Sequence, residues 1–147
     1  MSKRQLVALL ALLGLLIAIY LTLYKTGAIA ELNCTVGSCE TVQTSRWATF
    51  LGLPVAAWGI VFYVALLALA LSGVQGSLAE SRAVSVALVA VTGWGVVFST
   101  WLTYLELFVI HAICQWCVVS AILVTIAFVV AWLDLRDHRP AETALSA

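Results

Sequence analysis

The chain has 147 residues, 64% of them hydrophobic and only 10% charged, with seven basic and seven acidic side chains and a mean hydropathy of +1.12. Soluble domains are about 45–50% apolar and about 25% charged, so a water-soluble globule is excluded. The formal net charge is zero, with no basic patch to suggest a nucleic-acid partner.

Four uncharged stretches follow one another, from Leu6 to Leu23, Leu53 to Leu71, Ala83 to Leu105 and Ile113 to Leu133. Each is close to the roughly 20 residues a helix needs to cross the hydrocarbon layer. A spanning helix satisfies its own backbone hydrogen bonds, so the expected fold is an all-α membrane protein: a four-transmembrane-helix bundle with an outer loop carrying a short surface helix. No linker, charge block or low-complexity tract divides the chain. The domain is expected over residues 1–139, with residues 140–147 as a disordered tail.

Lys3, Arg4, Arg82, Arg136 and Arg139 flank the ends predicted to be cytoplasmic, against Lys25 and Arg46 on the other side. The basic bias therefore places both termini and the Ser72–Arg82 loop in the cytoplasm, and the Tyr24–Gly52 loop and Glu106–Ala112 turn outside. Lys3, Arg4, an apolar run and Ala28-Ile29-Ala30 also resemble a cleavable signal. The run exceeds the usual apolar core of about 7–15 residues, which favours a retained anchor. Either way the cysteines face outward, where disulfides persist.

Two cysteine pairs carry the chemistry. In the outer loop, Cys34 and Cys39 lie five residues apart around Gly37, which can take a left-handed turn. A folded loop of that length reaches the Cα separation a disulfide requires. Ser45 reads as a helix N-cap and Gly52 as a stop, which predicts a short surface helix over Arg46–Leu51 with Trp47, Phe50 and Leu51 turned into the bundle as a lid. Pro54 suits the first turn of the second span.

Cys114-Gln115-Trp116-Cys117 opens the fourth span. Residues three apart share a helix face, and a C-x-x-C at a helix start favours thiolate at its first cysteine. The residues leave three interpretations open: a redox relay, two structural disulfides forming a non-catalytic scaffold, or four cysteines around a structural zinc. His111, three residues before Cys114, could supply a proton or steady a thiolate, and is otherwise a solvated surface residue. Glu106 at the edge of the third span is a functional suspect that could simply snorkel. Most of the tryptophans fit an interfacial belt, but Trp47 and Trp116 flank the cysteines. Gly14-xxx-Ala18, Gly93 and Gly95 read as close helix packing.

Cys34, Cys39, the Ser45-Arg46-Trp47 segment, the Gly52-to-Gly59 entry into the second span and Cys114-Gln115-Trp116-Cys117, taken in that order, resemble the vitamin K epoxide reductase family. The resemblance covers the chain from about Asn33 to Trp132. It implies a four-helix bundle around a quinone, ubiquinone or menaquinone, with no metal. It further implies that a thioredoxin-fold partner passes electrons through Cys34 and Cys39 to Cys114 and Cys117, supporting disulfide-bond formation. Cys39 would exchange with Cys114, Cys117 would react with the quinone, and Ser45 would stand at its head group, with Trp47, Trp116 and His111 as further candidates for the quinone site. Vertebrate members carry an Asn and a Tyr where this chain has Val55 and Ala121, which favours a simple quinone over a quinone epoxide. The chain ends too soon for a fused thioredoxin-like domain, so the partner is expected to be separate. The implied location is a prokaryotic cytoplasmic membrane.

Overall fold

In the computed structural model, the backbone is described for residues 1–146 and side chains for residues 1–138. Five helices form: α1 (Lys3–Lys25), α2 (Cys39–Thr44), α3 (Val55–Ser72), α4 (Arg82–Tyr104) and α5 (Gln115–Ser146). Four are long and apolar enough to span a membrane, with the third span running from Arg82 through a π-helical turn to Ile110. The chain is thus a multi-pass membrane protein with the expected four-helix architecture. The backbone of α5 stays helical to Ser146, past Pro140, where the tail is expected to begin.

Local signals set the ends of these helices. Ser2 and Gln5 form a reciprocal capping box at the start of α1, satisfying two backbone N–H groups that the first turn would otherwise leave bare. Pro54 caps α3, where its missing N–H costs nothing. His111, at φ +58°, stops the π-helical turn, and the amide of Ala112 closes back on the Glu106 carbonyl. Histidine is among the residues that tolerate this left-handed conformation.

Helix α1 packs on α3 and α5, and α5 packs on α4, whereas α3 and α4 share the sparsest of these interfaces. The core lies along α1, with Val7, Ala11, Leu66, Ala70, Leu88, Ala127 and Ala131 buried together. Outward-facing Leu16, Val86, Val97 and Val129 are exposed, as lipid-facing residues should be. The ring of Tyr63 occupies the space that a side chain at Gly14 would need, so this glycine does serve close packing.

At the end away from the cysteines, Arg4 is buried. Its guanidinium donates to Asp134 Oδ2 at 3.0 Å, to the Gly73, Leu78, Ala79 and Ser81 carbonyls and to Ser85 Oγ, and Ser85 donates to Asp134 at 2.6 Å. One side chain thereby ties α1 to the 73–81 loop, α4 and α5.

The outer loop departs from expectation. Its surface helix is α2, which starts at Cys39, while Arg46–Ala48 makes only a single 3-10 turn. Strands β1 (Thr49–Phe50) and β2 (Leu53–Pro54) then pair antiparallel, with Thr49 opposite Pro54. Leu51 and Gly52 form the connecting turn, both at positive φ, as a two-residue hairpin matched to strand twist requires. This turn replaces the expected helix over Arg46–Leu51 and leaves Leu51 76% exposed, so Leu51 is not part of a lid.

Candidate functional site

The loop is fastened to the start of α5 by backbone pairing. Gly37 bridges to Cys114, and the amide of Ser38 donates to the Ile113 carbonyl at 2.8 Å. Gly37 has φ +84°, and a Cβ there would lie 2.3 Å from the Ile113 carbonyl oxygen, so only glycine allows this approach. Gln115 adds a side-chain clamp, its Oε1 accepting from the amides of Thr35 and Val36 and from the Thr35 hydroxyl.

This fastening gathers the cysteines. Cys34 and Cys39 form a disulfide with a Cα separation of 6.1 Å, while Cys114 and Cys117 are free thiols. Cys39 and Cys114 are both buried, in one cluster with Leu21, Leu32 and Val42. Cys34 is only half-buried, so the outer member of the loop pair can be reached from water. Among the described residues no group of three or more His, Cys, Asp or Glu side chains converges as metal ligands.

Two polar side chains flank the C-x-x-C. Gln43 lies one turn after Cys39, on the same face of α2. It is buried and points its Nε2 at both sulfurs, 3.5 Å from Cys117 Sγ and 3.8 Å from Cys114 Sγ. Lys25 fixes the turn by donating to the Gln43 carbonyl. Glu106, carried by the π-helical turn, is 4% exposed and accepts from the Cys114 amide at 3.0 Å. Its carboxyl also interacts with the Cys117 side chain. Cys114 stands one residue before the fourth span. Its thiol is held down to about 7, chiefly by the hydrogen bond from Cys117, against the opposing effect of burial. Donation from the Cys117 amide and from Gln43 adds to the lowering.

A cavity of about 450 Å³ opens beside Cys117, where α3 and α4 part. Aromatic and aliphatic side chains form most of its wall, among them Trp47, Phe50, Phe62, Trp94, Phe98 and Leu102. Polar groups are few: Gln43, Ser45, Ser99, Thr103, Glu106, and Tyr63 with Ser120, whose hydroxyls lie 2.6 Å apart. That volume and lining are typical of a site for a flat, largely apolar small molecule with a few polar atoms.

The sequence candidates fall into two groups. Cys117, Ser45 and Trp47 line the cavity; the Ser45 hydroxyl donates to the Val42 carbonyl at 2.7 Å, and Arg46 lies over the Trp47 ring. Ser45 therefore ends α2 and does not cap a following helix with its side chain. Trp116 and His111 do not line the cavity. The Trp116 indole donates to the Asn33 carbonyl at 3.0 Å and packs edge-on against Tyr20, bracing the loop from the other side of α5, and His111 is exposed in its left-handed corner. Gln43 was not visible as a candidate, because its position one turn after Cys39 matters only once α2 is placed. Glu106 is buried where an exposed edge carboxylate would have been equally compatible with the sequence.

Four spanning helices with a disulfide gathered beside a free dithiol fit a membrane thiol–disulfide oxidoreductase. The model of the vitamin K epoxide reductase family matches residues 5–132, and the chain belongs to that family. The family is an oxidoreductase family associated with quinone.

Proposed function

We propose that the protein is a thiol:quinone oxidoreductase that reoxidises a separate thioredoxin-fold partner and so sustains disulfide formation. The observation that carries this is the Gly37–Cys114 pairing, which brings Cys39 and Cys114 into one buried cluster while Cys117 lines an apolar cavity. Half-buried Cys34 is the sulfur that an external dithiol can attack.

Electrons then move inward by exchange between thiolate and disulfide. The partner's dithiol opens Cys34–Cys39 and leaves as a disulfide. The Cys39 thiolate attacks the Cys114–Cys117 disulfide at Cys114, and Cys34 closes back on Cys39. Cys114 and Cys117 are now reduced, with the loop disulfide intact, which is the combination of bonds in this structure. The inner pair re-forms its disulfide as two electrons and two protons leave for the quinone, which departs as quinol. Bound in the cavity, a quinone supplies a two-electron, two-proton acceptor. Trp47, Phe62 and Phe98 would hold its ring and apolar tail, and Gln43 and Ser45 would meet its polar edge.

Gln43 has the chemistry to stabilise developing thiolate, because a buried amide donor aimed at sulfur favours the charged form. The lowered Cys114 thiol suits attack and departure near neutral pH. Val55 stands in the cavity wall and brings no polar contact, which favours a respiratory quinone, ubiquinone or menaquinone, over a quinone epoxide. The basic residues at the Arg4 end and the exposed cysteine loop suit a prokaryotic cytoplasmic membrane with the termini inside.

The test is quinol formation by purified protein with dithiothreitol as donor. Wild type should turn over, and Cys114→Ser and Cys117→Ser should each be inactive. Turnover that survives either substitution, or no cysteine-dependent reduction of ubiquinone or menaquinone analogues, overturns the proposal.

A further inference from the structure

Glu106 is the one buried carboxyl group among the described residues at the cysteine end. It has no cationic partner there: its hydrogen-bond donor is the Cys114 amide, and its side-chain neighbour is the Cys117 thiol. A buried carboxyl group without a counter-charge is costly, and an intramembrane one facing a cavity is a functional candidate by default. The packing also distinguishes this residue from a snorkelling one. The π-helical turn and the left-handed His111 corner fold it inward, and it joins the wall of the same cavity as Cys117.

We infer that Glu106 is a catalytic residue, the carrier that takes the proton of Cys117 and delivers it into the cavity as the inner disulfide forms. The two hydrogen-bonding groups beside the C-x-x-C divide the work. Gln43 donates toward sulfur and favours negative charge there, while Glu106 can accept the S–H proton. The step balances. A sulfur–sulfur bond forms between Cys114 and Cys117, two electrons go to the acceptor, and the Cys117 proton reaches an acceptor oxygen through the Glu106 carboxylate, which ends ionised as it began. The proton that Cys114 released to water on ionising is matched by the one taken up at the second oxygen.

This inference rests on the quinone reductase proposal, and its test separates the two failures. Wild type, Glu106→Gln and Glu106→Asp are reduced, mixed with a water-soluble ubiquinone analogue and followed through one turnover. Gln keeps an acceptor for the Cys114 amide but carries no proton. General acid–base catalysis contributes on the order of 10²–10⁴-fold, so Glu106→Gln should slow quinol formation by about a hundredfold or more. Glu106→Asp, which retains an acid, should keep at least about a tenth of the wild-type rate. Reduction of the loop disulfide by dithiothreitol should proceed alike in all three. A second readout needs no quinone: the infrared difference between dithiol and diamide-oxidised protein should contain a carboxylate band that Glu106→Gln removes. An inactive wild type defeats the quinone proposal. An active wild type with Glu106→Gln within about threefold of it, Glu106→Asp as slow as Glu106→Gln, or a carboxylate band indifferent to the substitution overturns the role of Glu106.

Discussion

Arg4 and Glu106 are each 4% exposed and sit at opposite ends of the same bundle, yet their surroundings differ. Arg4 meets a carboxylate, a hydroxyl and four carbonyls drawn from three other segments, and Asp134 is in turn held by Ser85. Glu106 has a single backbone donor and a thiol, and one of its sides is open to a cavity. A buried ion whose hydrogen bonds are all made to fixed groups locks elements together. A buried carboxyl group left with spare hydrogen-bonding capacity beside reactive sulfur is positioned for proton movement. The contrast separates a part of the molecule that holds shape from a part that does chemistry.

Arg4→Ala breaks the first side of that contrast most severely. It leaves Asp134 buried without its partner, and removing one member of such a pair costs about 3–5 kcal/mol. Equilibrium unfolding in detergent should show that loss, while a folded fraction of the variant should still exchange thiols at the far end at the wild-type rate. Equal losses at both ends would mean that the two regions are not independent. Gln43→Leu acts on the second side. A hydrogen bond to a charged group is worth about 1.5–3 kcal/mol, so the rate of electron transfer out of the reduced inner pair should fall by roughly ten- to a hundredfold. Gel-shift labelling should show the loop disulfide still forming. The smallest effect comes from pH. With the Cys114 thiol held down to about 7, its thiolate is the minor form at pH 6 and the major form at pH 8. The rate at which the free Cys114 thiol attacks an added disulfide or alkylating reagent should therefore rise by roughly tenfold between those values and level off above them. A rate still climbing steeply beyond pH 8 would show that Cys114 titrates as an ordinary thiol.

The spanning helices were legible in the sequence because membrane crossing is a demand on composition, met by Leu6–Leu23 or Ala83–Leu105 without reference to any neighbour. The common end of the two cysteine pairs was legible for the same reason, since successive crossings alternate and bring the loop after the first span and the turn before the fourth to one face. The loop was harder. Ser45 and Gly52 carry real start and stop signals, but Leu51 and Gly52 spend them on a hairpin turn, and the helix forms one segment earlier from Cys39. Nothing local reveals that Gln43 faces sulfur, because its partners are more than seventy residues away. Trp116 misleads in the opposite direction. Its place inside the C-x-x-C suggests the cavity, whereas helical geometry turns it about the axis from Cys117 and toward Asn33.

The short pairing of Gly37 with Cys114 has a kinetic corollary. Because Cys39 and Cys114 ride on one chain and share one buried cluster, the inner exchange of the proposed cycle is a first-order event. Its rate constant should not change when the protein is diluted in lipid, and only the proposed encounters with partner and quinone would retain a concentration dependence. Under the proposed function, flux would rise with the supply of either mobile species, up to a ceiling set by this one internal step.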